Sequence, residues 1–270
     1  MARARILNPA PAPTELGAVA LSREILAEAK AVEAPGRCAR LDDLAGQLHG
    51  VAPERIEGDA ARIAFWANLY NALMLHCLCL RPLRGNLLWH LRLFDRIAYR
   101  VGPHDYPLNL IENGLLRANR RAPFRLRRPL RRSDPRRGAA PSQIDPRIHF
   151  ALNCGARSCP PIRDYDPDSL DAQLELATRS YLDAETQLDP RRGRVRLPRL
   201  MRIYGADFGD RDGQLRFAAR YVPQLADWLG DGSKPMRVAY GHFDWTVAPA
   251  PSAQRRILPA ALTRRRSPGR

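Results

Sequence analysis

The sequence predicts an α+β fold, a single domain in which a central buried helix packs on a small, mostly antiparallel sheet, with further helices on its N-terminal side. Residues 59–80 are apolar on every face of a helix, which is the pattern of a helix enclosed by the core. Short apolar runs with intervening turns at 97–108 and 194–197 indicate strands. Apolar residues recur at helical spacing before residue 57 and after residue 168, which favours amphipathic helices there.

The chain has 270 residues, 45% of them hydrophobic, so it is long enough to bury one substantial core. We expect a flexible tail at 1–15, an N-terminal helical segment at 16–57 and the main domain at 58–247. The Pro- and Arg-rich stretch at 248–270 predicts a disordered basic tail.

The formal net charge of +16 comes almost entirely from arginine, with Lys30 and Lys234 the only lysines. This skew, together with 24 prolines, is typical of a GC-rich genome, so the charge alone does not indicate a partner. Ten arginines lie within 117–137, and because like charges repel we predict an exposed, mobile insertion at 118–141. The run lacks the interleaved aromatics of single-strand binders, so we expect no nucleic-acid partner.

Membrane and compartment signals are weak. The richest apolar run, at 72–80, is interrupted by His76 and ends at Arg81-Pro82, short of the ~18–20 residues that span a bilayer. We therefore expect no membrane span. The first twenty residues lack the apolar core of a secretory signal, so the expected compartment is the cytoplasm. Five scattered cysteines, an odd number, do not predict a disulfide framework.

Two local patterns bear on the site. Asn109 followed three residues later by Glu112 is a capping-box arrangement, which predicts a helix at 110–119. The short apolar run at 145–154, opened by Pro146 and closed by Gly155, predicts a buried strand.

Four segments carry a family resemblance: residues 65–71 (FWANLYN), 111–117 (IENGLLR), 145–160 (DPRIHFALNCGARSCP) and 204–209 (YGADFG), with a weaker match at Tyr240 and Asp244-Trp245. Together they resemble the domain-of-unknown-function 547 family over roughly residues 58 to 247. The resemblance implies a distant likeness to papain-like or transglutaminase-like thiol enzymes, and hence a sheet packed on a central helix. The family usually has histidine at the position of Asn113. If that histidine is the catalytic base in the family, the resemblance implies that activity is impaired in this protein.

The segment from His149 to Cys159 concentrates the reactive side chains. Cys154 or Cys159 is the candidate nucleophile, and His149 is the candidate base or site organiser. In a strand, His149 and Cys154 would point to opposite faces about 16 Å apart, so Cys154 would need a base from another element. The competing interpretation is that Cys154 is a small buried core residue.

Other polar residues are candidates for supporting roles. Asn68 and Asn71 share a face of the central helix, with Tyr70 offset from them, and their favoured role is to tie neighbouring backbone. Asn153 must find partners if it is buried, and Ser158 is placed to satisfy loop amides. Glu112 either caps its helix or tunes the His149 imidazole.

These residues favour a thiol-dependent hydrolase or acyl transferase that acts on a peptide or small molecule without a cofactor. The alternative is a non-catalytic module whose groove binds a peptide or another protein. A metal held by the two cysteines and His149, and completed by His76, Cys77 or Cys79, is disfavoured, because structural zinc sites show tighter paired spacing. A disulfide between Cys154 and Cys159 requires an oxidising compartment. The oligomeric state stays open.

Overall fold

The computed structural model describes residues 4–32, 38–123, 125–230 and 237–248. The predicted basic tail lies outside these residues, apart from residue 248. The α-helices of the described residues are α1 (Ala18–Ala31), α2 (Ala39–Gly46), α3 (Asp59–Leu80), α4 (Leu93–Arg96), α5 (Leu170–Glu185), α6 (Arg199–Ile203), α7 (Gly205–Phe208), α8 (Arg211–Ala219) and α9 (Pro223–Gly230). The strands are β1 (Arg5–Ile6), β2 (Ile97–Val101), β3 (His104–Pro107), β4 (Gln187–Asp189), β5 (Arg194–Leu197) and β6 (Arg237–Tyr240).

Helix α3 is the centre of the fold, as predicted. Its sequence is rich in alanine and leucine, and it ends where Pro82 excludes further helix. By length and composition α3 is apolar enough to cross a membrane, but 89% of its most apolar window is buried inside the protein. Burial of this kind is what a core helix shows. Helix α1 packs along α3, and the Trp66 indole donates a hydrogen bond of 2.8 Å to the Ala139 carbonyl.

The α+β prediction is confirmed, but the strands form two small sheets rather than one mostly antiparallel sheet. In the described residues the first sheet has the order β1-β2-β3 and the second β4-β5-β6. Each sheet contains one antiparallel hairpin and one parallel pair, β1 with β2 and β5 with β6. The β2–β3 hairpin was recognisable from its local turn, but β4 was not predicted, and the parallel pairs join distant segments.

The first residues are ordered where we predicted a flexible tail. Strand β1 pairs with β2, and Leu7 is buried beside it. The Asn8 amide donates to the carbonyls of Ala45 and Arg100 and accepts from the Arg100 backbone N–H. The prediction is therefore wrong for residues 5–8, because one buried asparagine and one leucine join this segment to the core.

The strand predicted at 145–154 is also wrong. Residues Pro146–Phe150 form a 3-10 helix, which Asp145 caps by accepting from the Arg147 backbone N–H at 2.9 Å. The chain then continues as a loop through Cys154 and Cys159. The apolar run is short enough to suit either element, and the Asp-Pro pair at its start favours the helical turn.

The arginine-rich segment is held to the domain at a few buried residues, so the prediction of an exposed insertion is wrong there, whereas about half of its described residues are exposed. Asn119 donates to the Leu130 carbonyl and accepts from its N–H, both at 2.9 Å. Leu130 and Ala139 are buried, whereas Leu126 is 87% exposed. Acids and carbonyls elsewhere in the domain accept from several of the arginines, so the like charges are dispersed among partners.

A disulfide joins Cys38 to Cys79 across a sequence separation of 41. The scattered cysteines predicted no disulfide framework, and this single bond was not foreseen; Cys38 is only 2% exposed. Disulfides persist mainly in oxidising compartments, so this bond counts against the cytoplasmic expectation.

Candidate functional site

A cavity of about 220 Å³ lies beside α3 and is closed by segments from both halves of the chain. Its polar lining includes Tyr70, Asn109, Glu112, Asn113, Arg125, His149, Cys154, Cys159 and Tyr204. Its apolar lining includes Leu88, Leu91, Phe94, Leu152, Pro160, Leu200, Ile203, Phe243 and Trp245. The sequence-predicted nucleophiles and base therefore line one cavity, although a strand would have separated them.

The two thiols are in direct contact. The Sγ atoms of Cys154 and Cys159 lie 2.8 Å apart, and the Cys154 backbone N–H donates to the Cys159 sulfur at 3.2 Å. The turn between them requires Gly155, whose φ of +89° favours glycine and whose Cα faces Met74. Both side chains remain partly exposed.

The two thiols differ in pKa because their surroundings differ. Burial opposes ionisation of Cys159, but hydrogen bonds from the Cys154 thiol and from the backbone N–H groups of Ala156, Cys154 and Gly155 outweigh it, so the pKa of Cys159 is lowered. Donation of the Cys154 thiol to Cys159, followed by burial, raises the pKa of Cys154. Cys159 is therefore the more acidic of the two thiols.

Glu112 is held between two tyrosines. Its carboxylate accepts from the Tyr70 hydroxyl at 3.1 Å and from the Tyr204 hydroxyl at 2.5 Å. Burial, reinforced by the Glu112 charge, raises the pKa values of both tyrosines well above 10, so both stay protonated as donors. Glu112 therefore does not form the predicted capping box. It lies in a π-helix, Leu110–Leu116, whose turn is widened by the bond from the Arg117 N–H to the Glu112 carbonyl.

His149 is paired with Asp207. The Nε2 atom lies 2.8 Å from Asp207 Oδ2, and the ring stacks on Tyr204 with centroids 4.0 Å apart. Burial lowers the pKa of His149 despite the Asp207 charge. Burial alone would raise the pKa of Asp207, but hydrogen bonds from His149 and Arg117 hold it low. Because the ionised carboxylate only accepts, Nε2 carries the proton and Nδ1 is the basic nitrogen.

Arg117 connects this pair to Asn113. Its guanidinium donates to both Asp207 oxygens, at 2.5 and 3.0 Å, and to the Asn113 side-chain oxygen at 2.5 Å. Arg120 donates to the same Asp207 at 2.6 Å. Asn113 therefore orients Arg117, and among the described residues His149 supplies the imidazole at this cavity.

The Asn68 and Asn71 side chains on α3 form hydrogen bonds with backbone groups of neighbouring segments, which is the role predicted for them. Asn71 donates to the Ala151 carbonyl and accepts from the Asn153 N–H, which fixes the start of the cysteine loop. Asn153 in turn donates to the Pro160 carbonyl and accepts from the Gly155 N–H. Asn68 makes the same kind of pair with Tyr165, outside the cavity lining.

Ser158 fixes the other end of the loop. Its hydroxyl accepts from the Asp244 N–H at 2.9 Å, and its carbonyl accepts from the Tyr181 hydroxyl. The loop is thus held from α3, α5 and the segment that carries Phe243 and Trp245. Both sulfurs therefore lie on a loop that hydrogen bonds hold at both ends.

The sequence analysis missed Tyr204, Asp207 and Arg117 as site residues. Tyr204 and Asp207 belong to the YGADFG segment and Arg117 ends IENGLLR, so the resemblance contained them, but their spacing gave no chemical reason to select them. Among the described residues, no group of three or more His, Cys, Asp or Glu side chains is placed to hold a metal ion. Cys79 is bonded to Cys38, and His76 Nδ1 is hydrogen-bonded to the Tyr99 hydroxyl.

Fold and site together define an α+β protein with a thiol pair and an Asp-paired histidine on one cavity. The chain carries a DUF547 domain, since residues 53–182 match the family described as Protein of unknown function, DUF547. No curated protein and no solved structure matches this chain.

Proposed function

We propose that this protein is a thiol-dependent hydrolase or acyl transferase with Cys159 as its nucleophile. The observation that carries the proposal is the environment of the Cys159 sulfur, which lines the cavity and accepts hydrogen bonds from the loop backbone and from Cys154. A thiolate rather than a thiol attacks carbonyl carbon, and these donors stabilise the thiolate.

His149 is the base in this proposal. The hydrogen bonds of the described residues do not join it to either sulfur, so it is not needed to ionise the thiol. Its Nδ1 atom is the unprotonated nitrogen, and Asp207 orients the ring through Nε2 as an acid orients the imidazole of a catalytic triad. Glu112 acts as a positioning residue, because it fixes the Tyr204 ring on which His149 stacks.

The reaction then has two steps. The Cys159 thiolate adds to the substrate carbonyl, the leaving group departs as an anion that takes a proton from water where it is basic, and an acyl thioester forms. In the second step, His149 Nδ1 removes a proton from water or from an acceptor hydroxyl or amine, which attacks the thioester and releases Cys159 as its thiolate. The His149 imidazolium then returns its proton to solvent.

The wall of the cavity favours an apolar acyl group. Leucines, Phe94, Phe243 and Trp245 form most of the lining beyond the reacting groups. Leu88 and Leu91 of this wall are 41% and 44% exposed, so the apolar surface continues to the outside. Each methylene buried there contributes about 0.8 kcal/mol.

The test uses p-nitrophenyl acetate and p-nitrophenyl octanoate with the protein reduced by a phosphine. We expect a burst of p-nitrophenolate and an acyl adduct on the tryptic peptide 158–163, which carries Cys159. Burial of only two methylenes gives about 1.6 kcal/mol, so the octanoate should acylate at least about tenfold faster. The His149→Gln variant should still form the adduct but release it more slowly.

Two variants make the comparison specific. Cys159→Ala should abolish the adduct, and Cys77→Ala, which removes a buried free thiol outside the cavity lining, should retain it. If the ester labels other cysteines equally, or if Cys159 is not acylated, the enzyme proposal fails. The peptide-binding module, for which the exposed Leu88 and Leu91 provide a surface, would then take its place.

A further inference from the structure

Acyl transfer by Cys159 does not require a second thiol in contact with it, so the position of Cys154 calls for its own explanation. The two sulfurs are 2.8 Å apart, and a disulfide bond is about 2.05 Å long. A relative movement of about 0.8 Å would therefore join them.

The loop holds the sulfurs in this arrangement from both sides. Asn71 and Asn153 fix its beginning, and the Arg157 and Ser158 N–H groups donate to the Thr246 and Asp244 carbonyls at its end. Two groups held in contact react as one molecule, without the entropy loss of bringing them together.

We propose that Cys154 and Cys159 are a redox-active dithiol that reduces small disulfides and closes to an intrachain disulfide. This activity goes beyond acyl transfer and does not depend on it. Both sulfurs line a cavity whose wall is mainly apolar, so the fitting substrate is a small, uncharged disulfide.

The exchange proceeds in two balanced steps. The Cys159 thiolate attacks one sulfur of the disulfide RSSR, forms a Cys159–SR mixed disulfide and releases RS⁻, which takes a proton from water. The Cys154 sulfur then attacks Cys159 Sγ and expels the second RS⁻, which receives the Cys154 proton. Two electrons pass from the dithiol to RSSR, which leaves as two thiols.

The different acidities of the two cysteines suit these separate roles. Cys159, with the lowered pKa, is the attacking group, and Cys154, with the raised pKa, stays protonated until the mixed disulfide forms beside it. Burial raises the pKa of the remaining free cysteine, Cys77, to about 11, so it serves as an internal reference that should not react.

The sequence allows a direct measurement, because Arg157 lies between the two cysteines. The full chain is equilibrated with 2-mercaptoethanol and hydroxyethyl disulfide, quenched in acid, alkylated and digested with trypsin. Cys154 then lies on peptide 148–157 and Cys159 on peptide 158–163, so these peptides stay joined only by their disulfide. We expect the joined pair to be at least about tenfold more abundant than the mixed disulfide on Cys159.

The Cys154→Ser variant should instead accumulate the mixed disulfide on Cys159, and Cys159→Ser should form neither product on Cys154. A stable mixed disulfide on Cys159 in the unmodified chain would overturn the proposal. So would two cysteines that stay reduced when hydroxyethyl disulfide is in large excess over 2-mercaptoethanol. No ester is present, so this result and the acylation result can fail independently.

Discussion

His149 combines burial with an acidic partner, and the balance between them decides its charge. The pKa of His149 is lowered, chiefly by burial. The imidazole therefore stays neutral in the folded protein at pH values where the histidine of an unfolded chain, with a pKa of about 6.5, begins to be protonated. Folding stability from a group with a depressed pKa is complete above the unfolded value. It is lost as pH falls from that value toward the folded one.

The expected outcome is a fall in the free energy of unfolding as pH drops below about 6.5, with a slope from this one group of at most about 1.4 kcal/mol per pH unit. Urea unfolding at several pH values between 5 and 8 measures it. The His149→Gln variant should show a shallower slope, whereas His242→Gln, at an exposed histidine, should leave the slope unchanged. Equal slopes in all three proteins would contradict a buried neutral His149.

Burial would raise the pKa of Asp207, but hydrogen bonds from His149 and Arg117 lower it. Its pKa is held below the ordinary value of about 3.9, so its contribution to stability is present above that value and disappears only as pH falls further. The Asp207 carboxylate is therefore ionised above its ordinary pKa range and can accept the hydrogen bond from His149 Nε2. This bond keeps the proton of the neutral imidazole on Nε2.

At the scale of elements, the segment between the π-helix and Pro146 has a structural role. Leu130 is 4% exposed and its backbone is paired with the Asn119 side chain, whereas Leu126 is exposed. Leu130→Ala should lower the free energy of unfolding by about 2–3 kcal/mol. The matched Leu126→Ala change should stay within about 0.5 kcal/mol. Equal effects in thermal or urea unfolding would show that the segment does not pack.

The elements that sequence predicted correctly are those whose cause is local. The all-apolar surface of α3 and the turn between β2 and β3 need no knowledge of distant residues. Glu112 shows the opposite case. The pattern Asn-x-x-Glu predicts a helix cap, yet the Glu112 carboxylate accepts hydrogen bonds from two tyrosine hydroxyls that are 42 and 92 residues away. Tertiary hydrogen bonds to a buried carboxylate decided the outcome there.

Arg117 illustrates the same limit for the candidate site. In sequence it opens a run of arginines that reads as a solvated surface, but in the fold it is buried against Asp207, 90 residues away. The cysteine and histidine candidates were accessible to reasoning because their chemistry is distinctive. The side chains that orient them were not, since an aspartate or tyrosine in a short motif has many ordinary uses.

For the whole molecule, the Cys38–Cys79 disulfide ties the start of α2 to the end of α3. In the chain-entropy treatment, a loop with a sequence separation of 41 contributes up to about 4 kcal/mol to stability. The Cys38→Ala/Cys79→Ala variant should unfold at lower urea concentration than the oxidised protein, and adding a reductant should not shift it further. An oxidised protein whose urea midpoint is insensitive to reductant would contradict a stabilising disulfide.

The family match ends at residue 182, whereas Tyr204 and Asp207 lie beyond it. A fragment cut at that boundary would retain His149, Arg117 and Glu112 but strip each of a buried partner. The matched region therefore lacks Tyr204, which lines the cavity, and the acid that pairs with His149. Any truncation, fusion or domain exchange should keep residues 4–247 together, because β1 and α1 pack on the core and the acid that orients the imidazole lies beyond the family match.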